Sequence, residues 1–157
     1  MDYFDITPQG MQWLHDELAR CKQQRPVLVK RLAAAAALGD RSENTEYTES
    51  KRDLRHLESR MRFMDKQTRY GQVVQVQDDG VVALGKTVSL LFDGDDEDEL
   101  ETYQVVGPAE AEMADNNLTS VSPLGSALMG LRAGETATVK APAGEYEVTV
   151  KAVRVTD

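Results

Sequence analysis

Two stretches of the chain carry apolar residues at alternating steps of three and four. Met11, Leu14, Leu18, Cys21, Leu28, Leu32 and Ala35 keep this spacing in the first, broken only by Arg25. Tyr47, Ser50, Leu54, Leu57, Met61, Met64 and Thr68 keep it in the second, with apolar residues at most positions. That is the seam of a helix lying along one partner. A short connection joins the two, which predicts an antiparallel α-helical hairpin of coiled-coil type. Each arm has roughly 27 residues and, at about 1.5 Å per residue, projects on the order of 40 Å. Thr7 followed by Pro8 marks the start of the first helix, as N-cap and first-turn proline. Gly39 is placed to end it. Pro26 removes one backbone bond inside that helix and predicts a bend, with the seam continuing in register beyond it.

After residue 71 the period falls to two. QVVQVQ (72–77), TVSLLF (87–92), LETYQVV (100–106), ETATVKA (135–141) and EYEVTVKAV (145–153) predict strands of a small antiparallel sheet, separated by DDG, DGDDEDE and PAG turns. Ser122 before Pro123 predicts the cap of one short helix over SPLGSALMGL. The expected fold class is α+β, with a coiled-coil hairpin domain over 1–75 and a sheet domain over 76–157. The acidic run at 93–99 reads as a solvated hairpin loop and lacks the spacing of an EF-hand.

Charge sharpens this division. Residues 1–70 hold 13 Lys+Arg against 11 Asp+Glu, net +2, and residues 71–157 hold 5 against 16, net −11. An acidic total argues against a general nucleic-acid binder. The positive charge is nevertheless organised: Lys51, Arg52, Arg55, Arg62, Lys66 and Arg69 fall within an arc of roughly 100° on the second helix, away from its seam. Such a stripe fits a solvated face, and equally a contact for an RNA backbone or an acidic protein groove. The single cysteine, Cys21, sits on the seam as a small core residue without disulfide or metal spacing. The opening residues resemble no export leader and no stretch reaches the length of a membrane span, so a cytoplasmic protein without membrane association is expected.

The candidate chemistry lies at the turn, GDRSENTEY (39–47), where Asp40 and Glu43 sit at the end of the rod. Asp40-Arg41-Ser42-Glu43 fits a capping box, with Asp40 as N-cap and Glu43 at the third helical position. His15 and His56 read as surface residues, and no Ser/His/Asp set, phosphate-binding glycine loop or CxxC pair is present.

The GDRSENTEY tip, the entry ITPQGMQWLHDEL, the segment TYQVVG, and SVSPLGSALMGL leading to PAGEYEVTV together resemble the Gre transcript-cleavage factors of bacteria, GreA and GreB. The resemblance covers nearly the whole chain, and LGDRSEN with KRDLRHLESRMRF looks closer to GreB. It implies an FKBP-like fold for the C-terminal domain. It also implies an accessory factor rather than an enzyme, a monomer that binds bacterial RNA polymerase and passes the hairpin through its secondary channel. There it would stimulate the polymerase's own cleavage of backtracked RNA. Carried over by motif, Asp40 and Glu43 contact a Mg²⁺ shared with the polymerase and not held tightly by the free protein. Ser42 and Asn44 orient the tip or the attacking water, and Glu46 and Tyr47 support the turn. The basic stripe from Lys51 to Arg69 meets the nascent RNA 3′ end or the polymerase. Two other readings stand beside this one: a channel regulator without cleavage stimulation, and a prolyl isomerase. Against the second, residues 71–157 offer only Phe92, Tyr103 and Tyr146 for an aromatic pocket.

Overall fold

The computed structural model describes residues 3–39 and 43–157. The chain forms two compact units, Gln12–Tyr70 and a second that joins Met1–Met11 to Gly71–Asp157. Compared with a division after residue 75, the first eleven residues belong with the sheet. No helix among the described residues is long and apolar enough to cross a membrane.

The first unit is built on α1 (Pro8–Ala36) and α2 (Thr45–Tyr70). Leu14, Leu18, Cys21, Ala35, Ser50, Leu54, Leu57 and Met64 are its buried residues, all at seam positions. Ion pairs across the helices give their direction. Glu17 meets Arg60 at 3.4 Å, Arg25 meets Glu58 at 3.3 Å, and Arg31 meets Asp53 at 2.8 Å. Partner numbers fall on α2 as they rise on α1, so the helices run antiparallel. Arg25 interrupts the apolar pattern because it leaves the seam for solvent and reaches Glu58. Helix α1 runs through Pro26 without a break.

In the second unit, β1 (Phe4–Ile6) pairs with β2 (Gly71–Val73). The strands β3 (Lys86–Phe92), β4 (Glu101–Val106), β5 (Asn117–Thr119), β6 (Thr136–Ala141) and β7 (Gly144–Val155) form one sheet in the order β5-β4-β3-β7-β6. Its core joins Val82, Val88, Leu90, Val105, Leu118, Leu128, Val139, Val148 and Val150. Helix α3 (Pro123–Leu128) begins where Ser122 Oγ accepts from the Gly125 N–H at 3.0 Å, and it sends Leu128 into that core.

Two expectations are corrected. The sheet is mixed rather than antiparallel, since β4 and β5 run parallel, as do β1 and β2. The segment 72–77 is no strand of the main sheet: only its start pairs, and with β1. Beyond it Val76 packs onto Gly85, whose backbone is left-handed (φ +89°) and where a Cβ would overlap the valine. Partial burial of the Val76 side chain against Gly85, and not ladder pairing, accounts for the apolar residue at that position.

The root of α1 is held by a residue far along the chain. Thr7 Oγ1 accepts from the Gly10 N–H at 2.9 Å and so caps the helix. Thr7 also donates its backbone N–H, at 2.9 Å, and its hydroxyl to the buried carboxylate of Glu110. The Gly107 N–H donates to the same group at 3.2 Å. Helix α1 has no acidic residue in its own first turn, so Glu110 supplies the negative charge its N-terminus favours.

Candidate functional site: the hairpin tip

Helix α1 ends at Ala36 and α2 starts at Thr45, leaving residues 37–44 as the tip. Gly39 has φ +128°, a backbone state that glycine tolerates and other residues avoid. Asn44 stands at the start of α2: its Oδ1 accepts from the Tyr47 N–H at 3.1 Å, three residues on. Its backbone oxygen accepts from the Thr48 N–H at 3.1 Å. Asn44 is therefore the N-cap of α2, so Glu43 does not stand at a third helical position of that helix. Glu43 precedes the cap and is exposed, outside the helix. Asp40 and Ser42 lie outside the described residues.

The rest of the tip is tied across the helices. The Asn44 side-chain amide donates to the Ala35 carbonyl at 2.7 Å. Arg31 reaches Asp53, and Glu46 at 3.4 Å, which places Glu46 in a structural ion pair. Asp53, and after it Glu46, holds the Arg31 guanidinium above its ordinary pKa by hydrogen bonding. Ala35 and Ser50, both buried, lie at the tip end of the seam.

Tyr47 opens the basic face. Lys51 Nζ lies 5.8 Å from its ring centre, within cation–π range. Tyr47, Thr48, Lys51, Arg52, Arg55 and His56 line a surface groove of about 450 Å³. Arg52, Arg55, Arg62 and Lys66 are exposed, and Arg69 pairs with Asp65 one turn back at 3.0 Å. The stripe is thus strongest near the tip, where a mobile anion would meet several cations at once.

Metal fit can be judged from the donors. The Glu43 carboxylate is a hard oxygen ligand in an exposed setting, which suits Mg²⁺ and leaves most of its shell to be filled by other molecules. A second acidic group, Asp96, Asp98 and Glu99, gathers carboxylate oxygens within 4.8 Å of one another, all three residues exposed in the 93–99 loop. Among the C-terminal aromatics, the Phe92 and Tyr146 rings meet at 5.9 Å, tilted by 36°, and with Tyr103 they pack against the sheet core. Burial raises the Tyr103 phenol above its ordinary pKa.

Sequence reasoning missed Arg31 and Glu110. Arg31 lies beside the seam, and its repeated acidic partners on α2 were readable only once the helices were in register. No local signal marks Glu110.

Comparison with known proteins bears on the whole chain. Residues 4–73 match the family described as "Transcription elongation factor, N-terminal", and residues 77–155 match "Transcription elongation factor, GreA/GreB, C-term". The chain is similar to "Transcription elongation factor GreA 1" of Lactiplantibacillus plantarum, 46% identical over 149 residues, covering 95% of this chain and 94% of that protein. It is 35% identical over 158 residues to "Transcription elongation factor GreA" of Streptococcus pneumoniae, covering 98% and 96%. Among solved structures, "Structure of the transcription factor Gfh1" aligns at 25% identity and a TM-score of 0.48, covering 98% of this chain and 99% of that one. A closer likeness to GreB is not supported, since these relatives carry the GreA name. With both halves of the chain matched, it belongs to the GreA/GreB family of transcription elongation factors.

Proposed function

We propose that this protein binds bacterial RNA polymerase, enters its secondary channel tip first, and stimulates Mg²⁺-dependent cleavage of backtracked RNA by the polymerase. The observation that carries the reading is the placement of the N-cap: Asn44 caps α2, so Glu43 is not consumed in capping and stands exposed ahead of the helix. Asp40 and Glu43 would hold the ion jointly with polymerase carboxylates and the scissile phosphate. When bound, Mg²⁺ would lower the pKa of a water and stabilise the leaving oxygen. The chain's own part is delivery and negative charge: a narrow stalk brings two carboxylates to a site the polymerase already occupies with its own. Ser42 and Asn44 orient the turn, and Lys51, Arg52, Arg55, Arg62, Lys66 and Arg69 steer the extruded RNA 3′ end or the channel wall. An FKBP-like arrangement of the sheet unit, a cytoplasmic location and action as a monomeric accessory factor belong to the same proposal.

The test is a double replacement, Asp40→Asn with Glu43→Gln, which removes charge while leaving the Asn44 cap in place. Backtracked elongation complexes given Mg²⁺ and this variant should show near-basal cleavage with polymerase binding retained. Wild-type cleavage by the variant would refute the metal role. A channel regulator without cleavage activity predicts instead that the unaltered protein leaves the RNA uncut.

A further inference from the structure

We propose that Asn44 is the positioning residue of the tip, a single side chain that locks the end of α1 to the start of α2 and so fixes where Glu43 stands. This rests on the cleavage reading above and specifies how the carboxylate is held.

The geometry needs both ends of one amide. The Oδ1 atom accepts from the Tyr47 N–H at 3.1 Å, satisfying one of the donors left open by the first turn of α2. The Nδ2 atom donates to the Ala35 carbonyl at 2.7 Å, in the last turn of α1. That carbonyl belongs to a residue only 2% exposed, and it also accepts from the Leu38 N–H at 3.2 Å. The residues between Ala35 and Asn44 therefore span a loop whose two ends are joined by one side chain. Glu43 is the last residue of that loop, one peptide, about 3.8 Å between Cα atoms, from the anchor.

No other common capping residue does both jobs. Aspartate caps a helix as well as asparagine, but it has no donor for Ala35 and sets its charge against a carbonyl. Serine also caps, yet its hydroxyl is too short to reach across. The amide is thus dispensable for starting α2 and required for the bond that ties its N-cap residue back to Ala35. Because a shared ion needs its ligands placed to well under 1 Å, loosening the joint should weaken catalysis more than binding.

The experiment compares the intact protein with Asn44→Asp, Asn44→Ser and the Asp40→Asn/Glu43→Gln double variant on backtracked elongation complexes. Three quantities are read: the cleavage rate at saturating factor, the factor concentration for half effect, and the Mg²⁺ concentration for half effect. Circular dichroism gives helix content. For both Asn44 variants the expected result is wild-type helicity and half-effect concentration, a maximal rate lower by about tenfold to a hundredfold, and a raised Mg²⁺ requirement. A wild-type rate and Mg²⁺ response in both variants would overturn the inference. So would a loss of rate matched by equal losses of helicity or factor affinity, which is what a merely structural cap would give. If the double acid variant cleaves normally, the underlying reading has failed; if it is dead while the Asn44 variants are normal, only the inference has.

Discussion

Glu110, fully buried, accepts a hydrogen bond at 2.9 Å from the backbone N–H of Thr7, 103 positions earlier in the chain. One carboxylate thus serves a helix start and the turn at Gly107 together. Replacing Glu110 by Ala strands the Thr7 and Gly107 N–H groups away from water and should cost about 3 kcal/mol. Glutamine keeps an acceptor and should cost about half of that. Urea denaturation followed through the sheet unit measures both, and an alanine variant as stable as wild type would contradict the arrangement.

Gly10 lies in the first turn of α1 with the Glu110 carboxylate where a Cβ would go. Alanine favours helix by about 1 kcal/mol over glycine. Here three hydrogen bonds pin the carboxylate, so it cannot move aside, and overpacking should outweigh propensity by about 1–3 kcal/mol. Gly10→Ala should therefore lower the urea midpoint. A rise in the midpoint would show that the carboxylate yields.

The hairpin should weaken in acid. Arg20, and then Arg60, hold the Glu17 carboxyl below its ordinary pKa against the opposing effect of burial. A carboxylate with a depressed folded pKa stabilises the fold above its unfolded value. That stabilisation is lost as pH falls through the folded one, here below about pH 4.3. Helix melting temperature should drop over that range, and Glu17→Gln should flatten the dependence. An unchanged pH profile in the variant would remove Glu17 from the account.

Reversing Arg55 and Arg62 to Glu tests the basic face. If the stripe guides RNA, cleavage of long backtracked transcripts should fall by roughly threefold or more, with shorter ones less affected, and the loss should shrink at high salt. Equal losses for both lengths would assign the stripe to a protein surface.

The helices were legible because burial repeats with the period of the structure: every buried residue among the described residues of the hairpin unit sits on the seam read from Leu14 to Met64. The caps at Thr7 and Ser122 were legible for a similar reason, since a hydroxyl before proline is a local signal. What escaped was the short strands: β1 and β5 are three residues each, too short to display a period, and both pair in parallel, β1 with a strand far along the chain and β5 with the strand before it. Val76 follows the alternation of a strand while filling space above Gly85. At the tip, the acids were readable from their motif, yet which residue caps α2 was not, because Asp40 and Asn44 both satisfy the local rule.

The pairing of β1 with β2 has a consequence for the order in which this protein is made. The first strand is made before the hairpin, but its partner follows only after the whole hairpin has been synthesised. Closing so long an unstructured loop, from Ile6 to Gly71, would cost about 4 kcal/mol in chain entropy. A hairpin that has already zipped removes most of that cost by carrying the two ends to each other. Pulse-labelled hydrogen exchange should then protect the amide of Leu54 before that of Val74, which bonds to the Ile6 carbonyl at 3.0 Å. The hairpin would act during biogenesis as a template for that pairing.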